Sequence, residues 1–170
     1  MNSFRLFPGF ALLVLTCWLG LPMTAHALTV GQQAPDFELR GQSDALVKLS
    51  SLRGKVVYLD FWASWCGPCR QSFPWMNDLQ AKFAARGFQI VAINLDAKDA
   101  DAQKFLNEIS GKFQIAFDGK GTTPRLYGVK GMPTSYLIDR EGRVVYEHPG
   151  FNLSKTGEIE KQIEKVLDSK

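Results

Sequence analysis

Two cysteines three residues apart, Cys66 and Cys69, are the side chains of this sequence best suited to covalent chemistry. They close the string Asp60-Phe61-Trp62-Ala63-Ser64-Trp65-Cys66-Gly67-Pro68-Cys69. The mostly apolar, β-rich run Val56 to Trp62 reads as a buried central strand. A helix is predicted from about Cys66 to Ala85, because Phe73, Met76, Leu79 and Phe83 recur every three to four residues. The first cysteine therefore falls at a helix N-terminus, where unsatisfied N–H groups and the helix dipole favour negative charge. Such a position lowers a thiol pKa toward roughly 3.5–7.5, which makes Cys66 the nucleophile. Cys69 lies one turn further on, on the inner side and within bonding reach, and is predicted to resolve the mixed disulfide that Cys66 forms. Pro68 occupies the first turn, where its missing N–H costs little, and Gly67 leaves the approach to Cys66 uncluttered. The implied chemistry is thiol–disulfide exchange.

Other uses of the pair fare worse. A zinc site needs two more ligands, and beyond residue 27 only His148 is left to join the two cysteines. No metal and no cofactor are therefore expected. A structural disulfide closing so small a loop would stabilise little. His148 has no companion and reads as structural, and Arg70 reads as a solvated charge near the helix start.

The chain opens like a secretory signal. Arg5, the apolar run Phe10 to Leu21, Pro22 and then Ala25-His26-Ala27 predict cleavage after Ala27, with an uncleaved anchor as the alternative. The apolar run is short for a spanning helix, which needs about 20 residues. Cys17 reads as apolar filler of that signal rather than a lipid attachment site. The domains expected are 1–27 and 28–170. Without Arg5 the mature part carries 19 basic against 17 acidic residues. That balance is too even to imply nucleic acid as partner. An exported chain with one close cysteine pair is not a disulfide framework either.

The elements that must position the pair are legible in outline. Gly31 to Leu39 reads as an entry segment and Leu46 to Leu49 as a strand turned by Ser50 to Gly54. Pro74 predicts a kink in the long helix, and Gly87 its end. Phe88 to Leu95 reads as a second buried strand, Asp101 to Ser110 as a helix, Gln114 to Phe117 as an extended segment, and Arg125 to Tyr127 as a helical turn. Thr134 to Ile138 and Val144 to Glu147 form a hairpin about Asp139-Arg140-Glu141-Gly142. Ser154 or Thr156 is predicted to cap a last helix reaching Asp168. The class is α/β, with a central mixed sheet, helices on both faces and an N-terminal β extension.

On these residues the sequence resembles the thioredoxin superfamily, and within it the exported TlpA/ResA/DsbE-like thioredoxins. The marks are Ala34-Pro35-Asp36-Phe37, Leu49-Ser50-Ser51-Leu52-Arg53-Gly54-Lys55, the WCGPC motif, Phe73-Pro74 and Gly131-Met132-Pro133-Thr134. The resemblance implies a thioredoxin fold and a cis bond before Pro133, beside the disulfide, so that the backbone of Met132 can pair with a substrate strand. It implies a substrate-binding surface at Trp65, Gly67, Pro68, Met132 and Thr134. Trp62 and Trp65 are both expected around the site, Trp62 as core. Asp60 is an acid in an apolar strand, costly unless paired or functional. It stands where cytoplasmic thioredoxins hold a buried acid, which implies a proton acceptor for Cys69 with a raised pKa. ResA-like proteins usually carry an acid three residues after the second cysteine; here Ser72 stands instead, which counts against a dedicated role in cytochrome maturation.

The function so implied is an exported, monomeric protein-disulfide reductase in the periplasm. Its partners are protein thiols or disulfides and a membrane thiol reductant of the DsbD kind. Two alternatives stay open. Ala34-Pro35-Asp36-Phe37 also resembles the opening of peroxiredoxins, which allows a thiol peroxidase. A non-enzymatic module gripping extended peptides at Pro133 is the other.

Overall fold

Every residue of the run Val56–Trp62 is buried, as is nearly every residue of Phe88–Asn94. That explains their unbroken apolarity: each is a strand covered on both faces. The computed structural model, which describes residues 28–169, arranges the chain as β1 (Glu38–Gly41), β2 (Leu46–Lys48), β3 (Val56–Trp62), α1 (Gly67–Phe83), β4 (Phe88–Asn94), α2 (Asp99–Glu108), β5 (Gln114–Phe117), α3 (Thr122–Tyr127), β6 (Thr134–Ile138), β7 (Val144–Pro149) and α4 (Thr156–Asp168). The predicted signal, its cleavage site and Cys17 lie outside the described residues.

The strands form one seven-stranded mixed sheet in the order β2-β1-β5-β4-β3-β6-β7. β3 runs parallel to β4, from Val56 opposite Phe88 to Trp62 opposite Asn94, and antiparallel to β6. Side chains alternate across β3, and the two faces bury different partners. Tyr58 and Trp62 meet α1, α2 and α4 through Phe73, Phe105 and Ile163. Leu59 and Phe61 meet Tyr127 of α3, with Leu49 and Leu52, on the other face. This is the thioredoxin architecture, with helices on both faces as expected.

Three local expectations change. The entry segment contains a strand: β1 pairs with β2 and docks on the edge of β5. It is only four residues long and carries exposed Glu38 and Arg40, so it shows little apolar pattern. Its turn depends on Gly41, where a Cβ would come within 2.8 Å of Val47 Cγ2. The interruption expected at Pro74 does not occur: α1 is helical from Gly67 to Phe83 with Pro74 inside it. Pro74 lies on the exposed side, where solvent can bond the carbonyl its missing N–H leaves free. The final helix is not capped by Ser154 or Thr156. Asn152 accepts from the Ser154 N–H at 2.9 Å and starts a 3₁₀ turn that leads into α4.

Candidate active site

The end of β3, the end of β4 and the start of β6 lie side by side, since Trp62 pairs with Asn94 and Phe61 with Thr134. From that end of the sheet the chain leaves β3, makes a short loop and enters α1. Cys66 is the N-cap of α1. Its Sγ accepts from the backbone N–H of Cys69 at 3.2 Å. The sulfur thus occupies the place where α1 offers an unused donor and the positive end of its dipole. Cys66 and Cys69 are joined as a disulfide with Cα atoms 5.3 Å apart. Cys69 is fully buried, whereas Cys66 keeps 4% of its surface at the edge of the fold. Gly67 and Pro68 are exposed in the first turn.

The two tryptophans part company. Trp62 is sealed against Phe73 and Phe105, with ring centroids 4.8 and 4.7 Å away. Trp65 stands 73% exposed beside Cys66. Arg70 pairs with Glu108 and covers the Phe105 ring. Ser72, where an acid was the familial expectation, is buried and donates its hydroxyl to the Cys69 carbonyl at 3.0 Å.

The Met132–Pro133 peptide is cis, and Met132 packs on the same core cluster as the two cysteines. The loop is pinned at both ends. Thr134 donates its hydroxyl to the Gly131 carbonyl at 2.7 Å, and the Gly150 N–H reaches the Pro133 carbonyl at 2.7 Å.

Asp60 is 1% exposed and lies on the face of β3 that carries Tyr58 and Trp62, the face toward α1 and Cys69. Its Oδ1 accepts from the Ser135 hydroxyl at 2.7 Å. Its Oδ2 is buried with no hydrogen-bond partner among the described residues. Burial raises its pKa from the ordinary 3.8 to about 7, and the Ser135 bond acts in the opposite direction. Burial and the nearby Asp60 likewise push the Tyr58 hydroxyl up. Half-buried His148 sits opposite Ser135 on β7, and burial, reinforced by Lys155, lowers its pKa.

Sequence reasoning passed over Asp96. It is buried and clamps the redox loop: its Oδ2 and Oδ1 accept from the N–H and hydroxyl of Ser64 at 2.9 and 3.0 Å. Asn94 holds it in turn, donating to Oδ2 at 2.8 Å and accepting from the Asp96 N–H at 3.0 Å. The available signal was a polar pair at the carboxyl end of a buried parallel strand, where such sheets place their sites. Ala34-Pro35-Asp36-Phe37 lies elsewhere. Ala34 and Phe37 pack on the far face, Tyr127 donates to the Pro35 carbonyl at 2.7 Å, and Asp36 accepts from the Ser50 N–H at 2.9 Å. That motif attaches the N-terminal extension.

A family model described as AhpC/TSA matches residues 30–147. The chain belongs to the AhpC/TSA family of the thioredoxin superfamily. It is 32% identical over 151 residues to the thiol-disulfide oxidoreductase ResA of Bacillus thuringiensis subsp. konkukian, covering 89% of this chain and 86% of that one. With ResA of Bacillus subtilis it shares 32% over 163 residues, covering 86% and 91%. Among solved structures it resembles a Chlorobium tepidum protein described as a thiol:disulfide interchange protein of the DsbE kind, with a TM-score of 0.81, 61% identity, and 83% and 99% of the two chains covered. It also resembles an exposed lipoprotein thioredoxin of Streptococcus pneumoniae, with a TM-score of 0.68, 33% identity, and 78% and 100% covered. This AhpC/TSA-family chain is a thiol-disulfide oxidoreductase, and Cys66 and Cys69 are its cysteine pair.

Proposed function

We propose that this oxidoreductase works outside the cytoplasm as a reductant of protein disulfides, with Cys66 as nucleophile, Cys69 as resolving thiol and Asp60 as proton acceptor. The observation that carries the reading is the Cys69 N–H aimed at Cys66 Sγ at the start of α1. A charge-assisted bond there favours the thiolate. In the reduced enzyme, Cys66 attacks a substrate disulfide. The substrate S–S bond breaks, a Cys66–substrate bond forms, and one substrate thiolate leaves. Cys69 gives its proton to Asp60 and attacks Cys66 Sγ. The Cys66–Cys69 bond forms, the second substrate thiolate leaves, and two electrons have passed to the substrate. A membrane dithiol of the DsbD kind restores the reduced pair.

Trp65, Gly67, Pro68 and Met132 supply the accessible surface on which an extended substrate segment lies against Pro133; Thr134, expected there too, is buried and acts by holding the loop through its bond to Gly131. The Gly67-Pro68 dipeptide supports the reducing direction by its resemblance to reducing thioredoxins. Export is supported by residues 1–27 and by the likeness to a thioredoxin described as an exposed lipoprotein. Ala34-Pro35-Asp36-Phe37, the motif that resembles a peroxiredoxin opening, packs on the far face of the sheet with the N-terminal extension and not in the cluster that holds the two cysteines.

The test is the reduction potential of the 28–170 form, measured by equilibration with glutathione. A value near the roughly −270 mV of thioredoxin is expected, and one near the roughly −120 mV of a strong oxidant refutes the reducing direction. A Cys69→Ser variant is expected to accumulate mixed disulfides with its substrates. If it captures none, and the wild type consumes peroxide with the same dithiol, the peroxidase reading replaces this one.

A further inference from the structure

Asp60 and Ser135 are direct cross-strand partners on β3 and β6, so their side chains leave the sheet on the same face. Both are buried. The carboxylate has one oxygen engaged, Oδ1 by the Ser135 hydroxyl at 2.7 Å, and one oxygen free, Oδ2. Ser135 also lies two residues beyond Pro133. One strand start therefore carries both the cis-proline loop and the only hydrogen bond to the buried acid among the described residues.

We propose that Ser135 is a positioning residue of the exchange: its hydroxyl, donated to Oδ1, holds the Asp60 carboxylate in one rotamer and leaves Oδ2 as the oxygen that takes the proton from Cys69. This rests on the assignment of Asp60 as the proton acceptor. A buried carboxylate without that bond is free to turn about its terminal torsion, which is broad and two-fold. Either oxygen then faces the thiol, and neither is held there when Cys69 must ionise. The bond also favours the ionised acid over the protonated one. The enzyme thus holds a base in an apolar setting without an ion pair. Among the described residues, the titratable and charged groups on the same side of the sheet include Tyr58 on β3, His148 and Tyr146 on β7, Lys155 and Glu158 beside His148, Glu160 of α4, and the thiols of Cys66 and Cys69 from the start of α1; β4 places Ala92 opposite Asp60.

The test is the pH dependence of the single-turnover reduction of a peptide disulfide by the reduced 28–170 form, followed by tryptophan fluorescence. A His148→Gln background removes that residue's titration. Besides the ionisation of the Cys66 thiol, read separately from its alkylation rate in each variant, wild type is expected to show an inflection near neutral pH that Asp60→Asn abolishes. Ser135→Ala is expected to move that inflection up by about one pH unit, the effect of losing one hydrogen bond to a charged group. The rate at pH 7 then falls about fivefold, because the ionised fraction of the acid falls by that factor. Ser135→Thr, which keeps the hydroxyl, restores both. In the Asp60→Asn background, Ser135→Ala is expected to add nothing.

If Asp60→Asn leaves the inflection in place, the role given to Asp60 fails. If Asp60→Asn removes it but Ser135→Ala does not move it, Asp60 stands and the role of Ser135 is overturned. An equal loss of rate from Ser135→Ala with or without Asp60 also overturns it. Should Ser135→Ala fold poorly, the carboxyl ¹³C titration of Asp60 in wild type and in Ser135→Val decides. A midpoint unmoved by loss of the hydroxyl refutes the proposal.

Discussion

Asp60→Asn is expected to make this protein more stable at alkaline pH. In the fold, burial holds the Asp60 proton up to about pH 7, whereas the unfolded chain releases it near its ordinary 3.8. The native state therefore binds more protons than the unfolded state between these values. Stability must fall as pH rises through that window and level off above it, the reverse of the usual paired carboxylate. The difference of about three pH units, at about 1.36 kcal/mol each, sets a ceiling of about 4 kcal/mol on the loss. Relaxation around a buried charge brings the expected figure nearer to about 2 kcal/mol. Asparagine keeps the shape and the Oδ1 acceptor for Ser135 but never ionises. Urea unfolding of the oxidised 28–170 form from pH 4 to pH 8, wild type against Asp60→Asn, isolates this one group, because all other titrations cancel in the difference. The variant is expected to gain about 2 kcal/mol on the wild type between pH 4 and pH 8. A flat difference across that range would mean that Asp60 is solvated or paired in the fold, and the reasoning about a buried acid would be wrong.

Removing the loop clamp with Asp96→Ala strands the Ser64 N–H and the Asn94 side chain. It is expected to cost about 1–3 kcal/mol in denaturant unfolding and to slow peptide-disulfide reduction; an unchanged rate would show that the loop holds its shape alone. Trp65→Ala removes a side chain that is 73% exposed. It is expected to leave stability within about 0.5 kcal/mol while raising the apparent KM for a protein disulfide more than for a small one. An equal change for both substrates would refute a protein-binding role. Gly41→Ala drives a Cβ to 2.8 Å from Val47 Cγ2 and 3.0 Å from the carbonyl oxygens of Ala45 and Ile115. It is expected to cost about 1–3 kcal/mol and to raise amide exchange in β1 and β2, which a thermal scan and hydrogen exchange can each check.

The redox centre was legible because its information is local. An apolar strand, a three-residue loop and a Cys-Gly-Pro-Cys helix start are contiguous, and a helix presents its free donors at its first turn whatever surrounds it. The acid in the middle of that strand was legible for a similar reason, since both neighbours on each side are apolar and strand periodicity buries it. β1 was not, because four residues with two charged side chains show little apolar pattern and take their place from pairing with β2 and with the edge of β5. Continuity of α1 through Pro74 depended on which side of the helix the proline faced.

Residue identity and spacing along the chain determined the cysteine pair and the strand–loop–helix unit that holds it. The tertiary structure alone decided which polar groups meet across strands distant in sequence. Ser135 lies 75 residues from Asp60 and reads as an ordinary strand residue. Asp96 lies 32 residues from Ser64 and reads as a loop acid. Trp62 and Trp65 are three positions apart, yet one is sealed by Phe105 and the other faces solvent. Short-range backbone geometry acts within a few residues and leaves a pattern in the sequence, whereas a hydrogen bond between strands exists only once the sheet has set its register.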